Sequence, residues 1–453
     1  MKRLLFVMLL GASAAAQAQF AGSVTGTVTT IDGRADPYVA VGFAPGVSGA
    51  RQTGFGGAAG GQIPLSEALV HLTVSPSFGF PTEFWTRTNA AGGYTVPWTM
   101  GSRPASLRVE VRPTRPNIGT GTVTGSQPAF QFRVRSLTAS DIALSSTTFP
   151  PLAFSGGAQI ANFTLGSSEP SNVFRTALET YAMLGAQTQP PIGPTLRGDM
   201  LGVDVFINGD PPVGSIGGLA PDNQQVFLLP STGTRDPFTV AHELGHIVEY
   251  RSFDVLVPPA GPLEYGRDQP FVAGAWGDLT SEHEKAAFQE AFAHAVGAMW
   301  MWNRSADPPA GAHPAIPGPT GVFDLEQTQP PGNVPDQCEI DMPVFPGLPS
   351  PTVHVNLGHR RVICVTRGFW DILDSAPSGA ADPIANRDLG EIVRVLRAYP
   401  RNCLPFFDNG CVGEGGFDDG MNWSDFRRNY QATFPESLGG IENSNGLSSS
   451  NDD

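Results

Sequence analysis

The first third of the chain is patterned for strands. Val24-Thr25-Gly26-Thr27-Val28, Ala68-Leu69-Val70-His71-Leu72-Thr73-Val74 and Leu107-Arg108-Val109-Glu110-Val111 alternate or run in β-branched residues, with Gly and Pro clusters between them. That is the signature of short strands joined by turns. The stretch Thr88 to Val96 reads as a turn feeding a strand, and Phe130 to Val134 and Ile160 to Leu165 as later strands. No helical period interrupts them. An antiparallel sandwich is expected over 19–165, with the Gly-rich stretch from Gly42 to Gly61 looped between its first two strands.

The period then changes. Val173, Phe174, Ala177, Leu178, Tyr181 and Leu184 recur at three and four, which predicts a helix stopped near Gly185. Val203 to Ile207 and Gln225 to Leu229 read as strands. Asp236-Pro237 supplies an N-cap and a first-turn proline for the next helix. A long helix is expected from Ser281 to Trp302, opened by a Ser281/Glu284 capping box. Residues 305–353 are Pro-rich and aperiodic, a long loop. Helices are expected at 359–373, 389–398 and 423–434, and a polar, disordered tail over 439–453. The chain is therefore read as multidomain, an all-β sandwich followed by an α+β unit over 166–438 with a helical C-terminal part.

The helix after Asp236 carries His242-Glu243-Leu244-Gly245-His246. Two imidazoles four residues apart lie on one helix face, one turn from each other, and can reach one metal ion. Glu243 stands where it can take a proton from a metal-activated water. A hydrolytic zinc ion needs three protein ligands and an open position. The metzincin pattern would place Gly and His where Glu249 and Ser252 stand, so it does not apply. Glu290 is the better third ligand. It sits among Ala287, Ala291 and Phe292, where a carboxylate is costly unless paired or bound to metal. Asp278 and His294 are the other candidates. Glu282 and Glu284 suit a first helical turn, and Glu249 serves the helix or backs a ligand.

His242-Glu243-Leu244-Gly245-His246 followed by Glu290-Ala291-Phe292-Ala293-His294 resembles the gluzincin metallopeptidases. The resemblance implies zinc held by His242, His246 and Glu290, a zincin-like fold over 166–438, Glu243 as general base and a peptide substrate. Family members often carry Asp four residues after the ligand Glu, to orient a zinc-bound His. His294 stands there, a candidate to back the ligands. Gly368-Phe369-Trp370-Asp371-Ile372-Leu373-Asp374 resembles a late helix of secreted members. Earlier in the chain, Val24 to Val28, Pro64 to Val70 and Thr88-Asn89-Ala90-Ala91-Gly92-Gly93-Tyr94 resemble the carboxypeptidase regulatory-like, transthyretin-like sandwiches. Those usually carry Asp at the place of Asn89. That likeness implies a fold and an accessory role.

Composition refines this picture. A net charge of −15 argues against a nucleic-acid partner. Met1-Lys2-Arg3, the apolar run Leu4 to Leu10 and Ala16-Gln17-Ala18 read as a signal peptide over 1–18, cleaved after Ala18. Export to the periplasm or beyond is expected, and no other segment is apolar enough to span a membrane. Cys338, Cys364, Cys403 and Cys411 fit disulfides in an oxidising compartment. Tyr265, His354 and His359 are candidate oxyanion donors by residue type alone. Asp418, Asp419, Asn422 and Asp425 are a weak calcium candidate beside a helix-capping role. The expectation is one zinc ion and a protein or peptide substrate, with oligomeric state open. The alternatives are a binding protein on an inactive zincin-like scaffold and a zinc hydrolase of a non-peptide bond.

Overall fold

The computed structural model describes residues 20–35, 61–119, 121–137, 141–150, 157–186, 201–208, 218–253, 284–302, 315–318, 321–325, 362–374, 384, 387–398, 421–445 and 447. The N-terminal part is β-rich, with β1 (Phe20–Ile31), β2 (Gln62–Pro64), β3 (Leu69–Pro76), β4 (Thr82–Arg87), β5 (Gly93–Met100), β6 (Pro104–Arg112), β7 (Thr114–Pro116), β8 (Val123–Thr124), β9 (Phe130–Ser136), β10 (Ser145–Phe149), β11 (Ala158–Ile160) and β12 (Phe163–Thr164). Next come α1 (Glu169–Ala186), β13 (Val203–Ile207), β14 (Gly218–Leu219), β15 (Gln225–Leu228), α2 (Thr232–Arg235) and α3 (Pro237–Phe253). The rest is mostly helical: α4 (Glu284–Met301), the hairpin β16 (Ala315–Gly318) and β17 (Gly321–Asp324), then α5 (Val362–Leu373), α6 (Leu389–Arg397), α7 (Trp423–Thr433) and α8 (Gly439–Ser444). No described helix is long and apolar enough to cross a membrane.

Two sheets make the expected β layers. β1 pairs with β2 and β5 antiparallel and with β11 and β12 parallel, so the first sheet is mixed rather than purely antiparallel. The second runs β10-β6-β3-β4-β8. Alternation puts Tyr94, Val96 and Trp98 of β5 inward, into one core with Val70, Leu72, Val74, Val109 and Val111 of the second sheet. The turn before β5 works as read. Asn89 Oδ1 accepts from the backbone of Ala91 and of Gly93, each at 2.9 Å. Gly92 at φ 73° leaves room for the Val28 carbonyl, which a Cβ would meet at 2.3 Å.

The third sheet departs from expectation. Its order is β14-β15-β13-β9-β7. β9, read as a sandwich strand, instead pairs parallel with β13, Phe132 opposite Val203 and Val134 opposite Val205. The sheet thus crosses the boundary expected at residue 165. β15, the strand before the motif, is flanked by β14, which pairs antiparallel with it. α1 covers this sheet, with the Phe174 and Tyr181 rings 5.5 and 6.1 Å from Phe132.

Nearly every side of α4 is buried. Its Phe292 ring lies 5.8 Å from Phe369 of α5, while α3 packs on another face. Two glycines permit the α3–α4 approach. A Cβ on Gly245 would stand 2.8 Å from Ala293 Cα, and one on Gly297 would stand 2.7 Å from the Phe238 ring. The chain after Leu438 also differs from expectation: 439–444 is helical, and Ile441 and Leu447 are fully buried. Leu447 lies against Gly368, and Asn445 donates to Asp371 at 2.6 Å. Ile441 and Leu447 anchor the segment, with Glu442 accepting from Trp423 at 3.2 Å beside them.

One buried ionic cluster joins the β-rich and helical parts. The Arg34 guanidinium, 0% exposed, donates to Asp32 at 3.0 and 3.1 Å, to Glu179 at 2.5 and 2.9 Å and to Thr176 at 3.1 Å. Trp300 of α4 donates to the same Glu179 at 3.2 Å. Cys364 is buried in α5, and no cysteine among the described residues is free. Cys338, Cys403 and Cys411 lie outside the described residues, so no bridge is traced.

Candidate metal centre

The helix α3 begins as read. Asp236 Oδ2 accepts the Thr239 hydroxyl at 2.5 Å, and the Asp236 carbonyl accepts the Thr239 N–H at 3.2 Å, which satisfies a free donor of the first turn. One helical repeat then sets His242 and His246 side by side, with Nε2 atoms 3.2 Å apart. α4 supplies the third atom. Glu290 Oε2 lies 3.2 Å from His242 Nε2 and 3.4 Å from His246 Nε2. Gly245, between the two histidines, lets the α4 backbone close in at Ala293, one turn from Glu290.

Four ligands of a tetrahedral zinc, each about 2.0–2.1 Å from the ion, stand roughly 3.3 Å from one another. The three observed separations match that spacing. The chemistry matches too. Three buried acceptor-type atoms converge on one point, a costly arrangement unless a cation or shared protons lie between them. His242, Glu243 and His246 also form one buried cluster with metal-ligand spacing, and His242, Glu290 and His294 a second. A buried His/Glu cluster able to hold a divalent metal is therefore present.

Electrostatics agree with this reading. Burial pushes His242 down to about 3, so its imidazole is neutral. Burial alone would raise Glu290, but His246 and hydrogen bonds from both imidazoles outweigh it and hold the carboxyl well below the usual range. Burial would likewise lower His246, yet Glu290 and Glu249 raise it well above its ordinary value. Burial pushes Glu243 up to about 8, opposed by His246 and by a hydrogen bond from the Ala220 backbone. Ala220 follows β14, whose Gly218 lies over the carboxylate. A Cβ there would stand 2.6 Å from Glu243 Oε1.

His294 is 4% exposed; its ring lies edge-on to His242 at 4.5 Å, and its Nδ1 donates to the Glu290 carbonyl at 2.9 Å. Tyr250 stacks on His246 at 5.7 Å, and Gln289 donates to the Tyr250 hydroxyl at 3.2 Å. The pattern of residue types alone did not single out Gly218, Ala220, Tyr250 or Gln289. Gly218 and Gly245 are visible as glycines, but their partners are tertiary. Tyr265, Asp278, His354 and His359 lie outside the described residues. Asn422 and Asp425 form a capping box for α7, and Asp425 also accepts from Arg428 at 2.8 Å. Asp418 and Asp419, the rest of the calcium candidate, lie outside the described residues.

Comparison with protein families, curated proteins and solved structures finds no match.

Proposed function

We propose that this protein is an exported zinc-dependent peptidase. The carrying observation is the triangle of His242 Nε2, His246 Nε2 and Glu290 Oε2, with sides of 3.2, 3.4 and 3.2 Å. These three residues would hold the ion, with His294 behind them. When bound, it supplies a Lewis acid that makes water acidic near neutral pH and polarises a carbonyl.

The chain's own residues do the rest. Glu243, beside the two histidines, accepts the proton of the attacking water. It then returns that proton to the departing amine. A cation nearby favours the ionised Glu243 that burial disfavours. β14 has β15 as its one strand partner among the described residues. An extended peptide can add along its other side, next to Glu243. The reading includes a signal peptide cleaved after Ala18, disulfides among Cys338, Cys364, Cys403 and Cys411, and an accessory role for the β-rich part.

Metal analysis together with digestion of a peptide library, wild type against Glu243→Gln, tests this. Zinc in both proteins and cleavage only by wild type is expected. Zinc without cleavage of any peptide would favour hydrolysis of a non-peptide bond. No zinc in wild type would favour a binding protein on an inactive scaffold.

A further inference from the structure

His246 directs Nε2 at Glu290 and His242, which leaves its other ring nitrogen to be satisfied elsewhere. That Nδ1 is buried and has no hydrogen-bond partner. Glu249, one turn further along α3, is 1% exposed, and its Oε2 is likewise buried and unpartnered. The two atoms face each other at 3.7 Å. Two complementary orphans this close, inside a protein, are a hydrogen bond waiting for a shift of about 0.7 Å. The alternative source of an orienting carboxylate is α4, four residues after Glu290. His294 occupies that place, with Nδ1 spent on the Glu290 carbonyl at 2.9 Å and its ring against His242 rather than His246. Tyr250 stacks nearly parallel to the His246 ring, 19° between planes, which restrains its tilt but not its in-plane position.

We propose that Glu249 is a positioning residue that accepts a hydrogen bond from the Nδ1–H of His246 and so keeps the Nε2 lone pair turned toward the metal position. The inference rests on the zinc reading above. A neutral imidazole carries one N–H. An acceptor at Nδ1 holds that proton there, fixes the ring and raises the basicity of Nε2. Here the orienting carboxylate comes from the ligand helix itself.

The test is zinc affinity by chelator competition on the full-length exported protein, for wild type, Glu249→Met and Glu249→Gln. Glu249→Met keeps the volume and removes the acceptor. Its zinc affinity should fall about 10- to 100-fold. Glu249→Gln keeps a neutral acceptor and should recover part of that loss. The nitrogen-15 resonances of His246 in the zinc-loaded protein give a second readout. In Glu249→Gln the Nδ1 signal should move while the His242 signals stay. Wild-type affinity in both variants overturns the proposal. So does an unmoved Nδ1 signal in Glu249→Gln, which decides the matter if Glu249→Met does not fold. Failure of wild type itself to bind zinc would overturn the metal reading instead, and this proposal with it.

Discussion

Two of the buried charged clusters among the described residues are built in opposite ways. Around Arg34, the five N–H donors of a guanidinium meet five acceptor contacts on Asp32, Thr176 and Glu179. Charge and hydrogen bonding close within the protein. Around His242 the buried groups are imidazoles and carboxylates: His242, Glu243, His246, Glu249, Glu290 and His294. The charges acting on them are one another's, and His242 Nδ1, His246 Nδ1 and Glu249 Oε2 are left without partners. The first cluster is complete without a ligand. The second gathers negative charge and lone pairs at one point, as a cation site must.

Removing Glu290 should separate the two clusters most sharply. Glu290→Ala is expected to lose stoichiometric zinc by metal analysis and to lower peptide cleavage at least as much as loss of the general base, which is worth roughly 10²- to 10⁴-fold. The Arg34 cluster should not notice, so the unfolding losses of metal-free Glu290→Ala and Arg34→Met should add in the double variant. The converse variant is Arg34→Met. It leaves the Asp32 carboxylate and the half-buried Glu179 with Arg175 as their remaining cation and should cost up to about 3–5 kcal/mol by urea unfolding. That loss should be the same with and without chelator. A loss that appears only with zinc bound would break the comparison.

A smaller effect is expected at the helix crossing. Gly245→Ala forces a Cβ to within 2.8 Å of Ala293 Cα. Overpacking of this kind costs about 1–3 kcal/mol, and the displaced α4 should weaken zinc binding as well. Acid should give the least. Burial works to raise the Asp32 carboxyl, but Arg34 and Arg175 outweigh it and hold it below its ordinary value. A carboxyl lowered in the folded state adds stability that is full above the unfolded value near 3.8 and fades as pH falls through the folded one. Urea midpoints of wild type should therefore drop below about pH 4, and Arg34→Met should show a shallower drop.

Much of this was legible in the chain because it is local. The spacing of His242 and His246 is one helical turn, Asp236 caps the helix they ride on, and Asn89 turns the chain before Tyr94 by its own side chain. Glu290 could be read from its company, a carboxylate among Ala and Phe. What stayed hidden depends on partners far along the chain. Nothing near Phe130 to Ser136 announces parallel pairing with Val203 to Ile207. The two-residue strand Gly218–Leu219 is too short to leave a period, yet it covers Glu243. Leu447 lies in a polar segment, and its burial follows from Gly368 on another helix.

The shared third sheet also bears on how the polypeptide could be divided. β9 supplies one flank of β13, whose Val203, Val205 and Ile207 are almost wholly buried. A fragment started at residue 166 would leave that flank's N–H and C=O groups bare, an invitation to pair with a neighbouring molecule. The boundary suggested by residue patterns is thus a poor place to cut. The smallest autonomous piece carrying the histidines must keep Phe130 to Ser136, and with it much of the preceding β architecture.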